Sequence, residues 1–119
     1  MSADDSYQAH FAHKRKMEAM QRMRDWQART WSQRRDMAMG ELRRAMRYRG
    51  YPESARPRIR CFHYRSSGKP FYAIVLTNQG RERRRNVYLQ AERWDTLIQK
   101  LAFRQWSQLS GSRLERNWR

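Results

Sequence analysis

GKPFYAIVLTNQGRERRRNVYLQAERWDTLIQKL, residues 68–101, is the stretch whose reading decides the fold. Residues 71–77 are β-branched and aromatic, and too short a run for a helix, so they read as a strand. Both of its faces are apolar: Phe71, Ala73, Val75 and Thr77 share one and Tyr72, Ile74 and Leu76 the other. A strand of that kind is central in its sheet. Asn78, Gln79 and Gly80 supply a turn, Arg81, Arg83, Arg84 and Arg85 follow in the connection, and residues 86–89 form the next strand. Trp94, Leu97, Ile98 and Leu101 then recur at the spacing of one buried helix face, a helix that can continue through Phe103, Trp106 and Leu109.

Working outward toward the N-terminus, Arg58, Arg60, Phe62 and Tyr64 alternate with Ile59, Cys61 and His63. The alternation makes one strand face basic and aromatic. Such a face suits an unpaired polynucleotide, because guanidinium groups neutralise phosphates while rings accept stacked bases of any sequence. Packing of Phe62 and Tyr64 beneath a helix or a second subunit accounts for the same pattern equally well. Cys61 reads as a buried small hydrophobe in this strand. Residues 66–70 make the hairpin turn between the two strands. The Arg81 to Arg85 cluster is either a solvated hairpin tip or a mobile basic arm that closes over a phosphate backbone.

Residues 7–49 contain no proline and are rich in Ala, Met, Gln, Glu and Arg, which predicts one long helix or two, with Gly40 as the weak point. Met39, Leu42 and Met46 mark an apolar row near the C-terminal end, but arginines interrupt any continuous heptad seam. Twelve Lys or Arg face four Asp or Glu in this region. Gly50, Tyr51 and Pro52 end it. The expected organisation is a short N-terminus (1–6), a basic helical region (7–50), a linker (51–57), a strand-strand-strand-helix unit (58–109) and a basic tail (110–119). The fold class is α+β: a long N-terminal helical region, a small antiparallel sheet of three to four strands, and a C-terminal helix.

The 119 residues carry a formal charge of +16, and hydrophobic residues make up 39%. With a mean hydropathy of -1.20, a chain of this length has little to bury, so a small core with a projecting element or an oligomer is expected. The charge directs the chain toward polyanions, and the bias to Arg favours phosphate and base contacts over a purely electrostatic role. No apolar run is long enough to span a bilayer, and the acidic start is unlike a signal peptide, so an intracellular protein, cytoplasmic or nucleoid-associated, is expected. A single cysteine excludes an internal disulfide.

The segment RRNVYLQAERWDTLIQKL, with the Arg-rich strand, Gly-Lys turn and apolar strand before it, resembles the transcriptional positive cofactor 4 family over residues 58–101. That family binds single-stranded DNA as dimers of strand-rich units followed by a helix. The resemblance implies strand contacts from Arg58, Arg60, Phe62, Tyr64, Lys69 and Tyr72, with Arg83 to Arg85 in the adjoining loop. It also implies a homodimer whose interface lies near Trp94, Leu97 and Leu101. The helical region lies outside the resemblance and is available for duplex contacts or for a protein partner.

Enzymatic machinery is sparse. His10 and His13 stand at i and i+3 with no convincing third ligand, so neither a metal nor another cofactor is expected. No phosphate-binding loop, zinc-protease or hydrolase motif occurs. The best catalytic rival is a small basic ribonuclease of toxin type using His63, Tyr64, Arg85 and Tyr88. A basic inhibitor or adaptor docking on an acidic protein is a third possibility. The leading expectation is a non-catalytic binder of single-stranded DNA or RNA, acting in transcription, replication or their regulation.

Overall fold

The structure, a computed structural model, describes residues 3–78 and 81–111, with the backbone alone at residues 3, 4, 78 and 81–86. Among these residues the element order is α1 (Ala3–Ala28), α2 (Trp31–Tyr48), β1 (Pro57–His63), β2 (Pro70–Asn78), β3 (Arg81–Ala91) and α3 (Trp94–Ala102), followed by a 3-10 turn at Trp106–Gln108. The class is α+β, as the sequence predicts. The chain forms two compact units, residues 1–33 and 34–119.

In the first unit α1 is exposed from Asp5 to Asp25. The helical region breaks at Thr30, not at Gly40, which lies inside α2. The break has a local cause. The Thr30 hydroxyl accepts from the Gln33 backbone N–H at 3.2 Å and the Gln33 side chain accepts from the Thr30 N–H at 2.9 Å. This reciprocal capping box satisfies two amides that a helix start otherwise leaves without partners. Interior glycine lowers helix propensity but does not by itself end a helix.

In the second unit the sheet is antiparallel with order β1-β2-β3, so β2 is central as expected. Ala73, Ile74, Val75 and Leu76 are all buried, which places cover on both faces of β2. Leu97, Ile98 and Leu101 of α3 are also buried. Each such side chain contributes about 1.5–3 kcal/mol when removed from water. Leu97 and Leu101 therefore belong to the chain's own core, with no surface left for the dimer contact that the resemblance implies, while Trp94 is half-buried. Ala38, Leu42 and Met46 of α2 form a third buried row at i+4 spacing.

Thr77 fixes the approach to β1. Its hydroxyl lies 3.2 Å from the carbonyls of Ser54 and Arg56 and accepts from the Arg56 N–H at 3.1 Å. A buried hydroxyl held this way has its polar demand met locally.

Two helices end in the same motif. At the end of α2 the Tyr51 N–H donates to Met46 O and the Gly50 N–H to Arg47 O, both at 3.0 Å, with Gly50 at φ 79°. At the end of α3 the Gln105 N–H donates to Lys100 O at 2.8 Å and the Arg104 N–H to Leu101 O at 3.2 Å, with Arg104 at φ 59°. These are Schellman caps, which place one residue in the left-handed region. Gly50 adopts it without steric cost. Arg104 does so while its Nε donates to Glu41 Oε2 at 2.8 Å, a tether from α2. The cap ends α3 at Ala102, so the expected continuation of the helix through Leu109 does not occur.

β3 is longer than anticipated. Arg81 pairs with Asn78 and Glu82 with Thr77, so the backbone of residues 81–85 belongs to a strand rather than to a hairpin tip or a free arm. The pairing is irregular: two steps from Val75 to Thr77 face five from Val87 to Glu82, and a further shift falls between Ile74 and Val75. The extra residues of β3 bulge against β2.

Candidate nucleic-acid interface

β1 is an edge strand, and its register sorts its side chains. Arg58 pairs with Val75, Arg60 with Ala73 and Phe62 with Phe71, so these residues share one sheet face. On this face Ala73 and Val75 of β2 are covered, while the β1 margin is open. Arg58 and Arg60 are exposed there, as is Lys69 in the turn beyond.

Three rings gather at the far end of β1. Tyr64 stacks on Phe71 with centroids 4.5 Å apart and planes at 29°. Phe62 lies 5.5 Å from Phe71 on a 30° tilt. Phe62 and Phe71 are half-buried, and Tyr64 remains 37% exposed, enough to offer part of its ring to a ligand. The hairpin presents this cluster. The Tyr64 N–H donates to Lys69 O at 3.0 Å, the Gly68 N–H donates to Tyr64 O at 2.8 Å, and Gly68 at φ 69° permits the reversal.

The structure therefore brings Arg58, Arg60, Phe62 and Tyr64 onto one strand face and adds Phe71, which alternation places beside them. Tyr72 does not join them: it pairs with Cys61 and points with it to the opposite face. Cys61 is exposed, contrary to the reading of a buried thiol. Alternation alone assigned it to an apolar face, but the thiol stands on an edge strand and is open, while its partner Tyr72 on the central strand is half-buried. Lys69 lies in the turn next to the rings. The side chains of Arg81, Arg83, Arg84 and Arg85 lie outside the described residues.

A second basic feature comes from helix geometry that the sequence reading did not use. Arg35, Met39, Arg43 and Arg47 occur at successive i+4 positions, so they form one row along α2 beside the buried Ala38, Leu42 and Met46. That row and β1 border two concavities. One, of about 610 Å³, is lined among others by Arg43, Arg47, Tyr51, Arg56 and Arg58. The other, of about 400 Å³, is lined by Arg35, Asp36, Met39, Arg43, Arg58, Ile59 and Arg60. Arg43 and Arg58 belong to both. Glu41, the other acidic residue of α2, instead faces Arg44 at 3.0 Å and Arg104 at 2.8 Å.

Tyr51 meets Tyr88 edge-on with centroids 5.9 Å apart. Burial pushes the Tyr88 phenol far above its ordinary value, Tyr51 adds to the rise, and Arg49 opposes it. Burial also raises Tyr51, with Tyr88 and Arg49 drawing it part of the way back. Although Tyr51 lies beside it, the buried Tyr88 hydroxyl has no hydrogen-bond partner of good geometry among the described residues.

The catalytic set considered for a ribonuclease is not assembled. His63 pairs with Pro70 at the end of β1, whereas the register sets Tyr88 level with Arg58 and Ile59, at the other end and two strands away. Among the described residues no three His, Cys, Asp or Glu side chains gather to hold a metal. No described helix is long and apolar enough to cross a membrane. Comparisons with family models, curated proteins and solved structures found no match.

Proposed function

We propose that this protein binds single-stranded nucleic acid through the exposed margin of β1, without catalysis. The reading rests on the half-open ladder Tyr64–Phe71–Phe62, which lies on the same strand face as Arg58 and Arg60. Stacked rings receive bases without hydrogen-bond readout, so the site takes single strands of either sugar type with little sequence preference. Guanidinium groups beside the rings hold the backbone, and their contribution weakens as salt rises because bound counterions are released from the strand. The charge of +16 strengthens association with any polyanion. The rings supply what charge alone does not, a preference for unstacked bases over duplex.

Fluorescence anisotropy with single-stranded DNA, single-stranded RNA and duplex DNA, repeated across a salt series, tests this reading. Tyr64→Ala should weaken single-strand binding by about 1–3 kcal/mol and leave duplex binding nearly unchanged. Tyr64→Phe should restore it. Equal affinity for duplex and single strands, unaffected by Tyr64→Ala, would remove the basis for the reading.

A further inference from the structure

The α2 arginines have no part in the ring-bearing margin itself, yet they stand beside it. Arg35, Arg43 and Arg47 are exposed and line one wall, while Arg56, Arg58 and Arg60 line the other. Among the described lining residues the carboxylates are Asp36 and Glu53. Six guanidinium groups against two carboxylates leave an excess positive potential that a concave surface concentrates. A single small anion does not match this arrangement, because the row from Arg35 to Arg47 covers about 18 Å of helix. The complementary ligand is an extended chain of negative charges.

We infer that the strip between α2 and β1 is the phosphate track of the same single-strand site, so that α2 is part of the binding unit. This rests on the reading proposed above. The continuity comes from β1: Arg58 and Arg60 line the strip, and Phe62 is the next residue on their face. A strand whose bases stack at Tyr64 and Phe62 thus meets Arg60 and Arg58 next and then runs along Arg43 toward Arg47 or Arg35. The lining by three consecutive residues, Arg58, Ile59 and Arg60, fits a track along the outer edge of β1, since alternate side chains point to opposite faces. The rings take a short segment, and the strip adds affinity only when the ligand is long enough to reach it.

The test compares oligothymidylates of about 4 and about 16 nucleotides on the full chain and on the triple variant Arg35→Gln, Arg43→Gln, Arg47→Gln. Glutamine keeps helix propensity close to that of arginine, and circular dichroism verifies folding. The wild type should bind the longer oligonucleotide more tightly and with a steeper salt dependence. In the variant the slope of log affinity against log salt for the longer ligand should fall by about 2, near 0.7 for each lost phosphate contact on a single strand. Binding of the shorter ligand should stay within twofold. If the triple variant unfolds, Arg43→Gln alone should lower the slope by about 0.7.

An unchanged slope for the longer ligand, while Tyr64→Ala still weakens both, would overturn the track and leave the ring site standing. Failure of the wild type to bind either ligand at low salt would remove both.

Discussion

α1 and α2 are both basic helices rich in Ala, Met and Arg, yet one is exposed along nearly its whole length and the other has a buried row. The difference lies in spacing. Met17, Met20 and Met23 of α1 step by three residues, which at 3.6 residues per turn falls short of a full turn and carries each methionine further round the helix. All three remain exposed. Ala38, Leu42 and Met46 of α2 step by four, stay on one side, and are buried. Apolar content is thus less informative about which helix packs than the interval at which it recurs.

The strongest way to break this contrast is truncation of a methionine and a leucine in parallel. Leu42→Ala, at a fully buried position of α2, should cost about 2–5 kcal/mol, read as a lower midpoint in urea denaturation with an unchanged slope. Met20→Ala in α1 should stay within about 0.5 kcal/mol. Similar losses at the two sites would mean that α1 packs as tightly as α2.

A smaller effect probes the boundary between them. Thr30→Ala removes the hydroxyl from the capping box and should destabilise the start of α2 by about 1 kcal/mol, with faster amide exchange at Gln33 as the local readout. Protection at Gln33 that does not change would place the helix boundary elsewhere.

The smallest effect at neutral pH comes from Tyr88→Phe, which removes a buried hydroxyl without a good partner. Stability at pH 7 should move by less than about 1 kcal/mol. The alkaline limb differs. Because burial raises the folded phenol above its ordinary value of 10.0, the unfolded chain releases its proton first. The Tyr88 contribution is fully present below about pH 10 and is lost as pH rises toward the folded value. Tyr88→Phe should flatten that loss, measured as the denaturation midpoint between pH 9 and pH 11, roughly the range in which an ordinary tyrosine titrates. An alkaline limb as steep as in the wild type would mean that other groups control it.

The sheet and α3 were legible because their signals are local. Residues 71–77 have strand composition, Gly50 carries the usual residue of a left-handed helix cap, and Leu97, Ile98 and Leu101 have helical spacing. The Thr30 boundary was also legible in principle, since Thr30 and Gln33 have capping-box spacing, but interior Gly40 drew the reading away. Arg104 gave no such signal: its left-handed backbone accompanies a contact with Glu41, 63 residues away in sequence. The exposure of Cys61 depends on what covers the edge strand, and the arginine strip depends on α2 lying beside β1. Neither follows from spacing alone. Alternation did place Phe62 and Tyr64 correctly on one face, and the pairing that brings Phe71 into stacking contact emerges only from the strand register.

The uneven pairing of β3 bears on how this edge of the sheet meets a neighbouring molecule. A regular exposed edge offers amides and carbonyls to the next molecule, inviting sheets to join into fibrils. Here residues 82–87 depart from a regular ladder, and Ser110 bridges Gln90 on β3. The β3 edge is thereby a poor template for backbone pairing with a neighbouring sheet, whereas the β1 edge keeps a regular ladder.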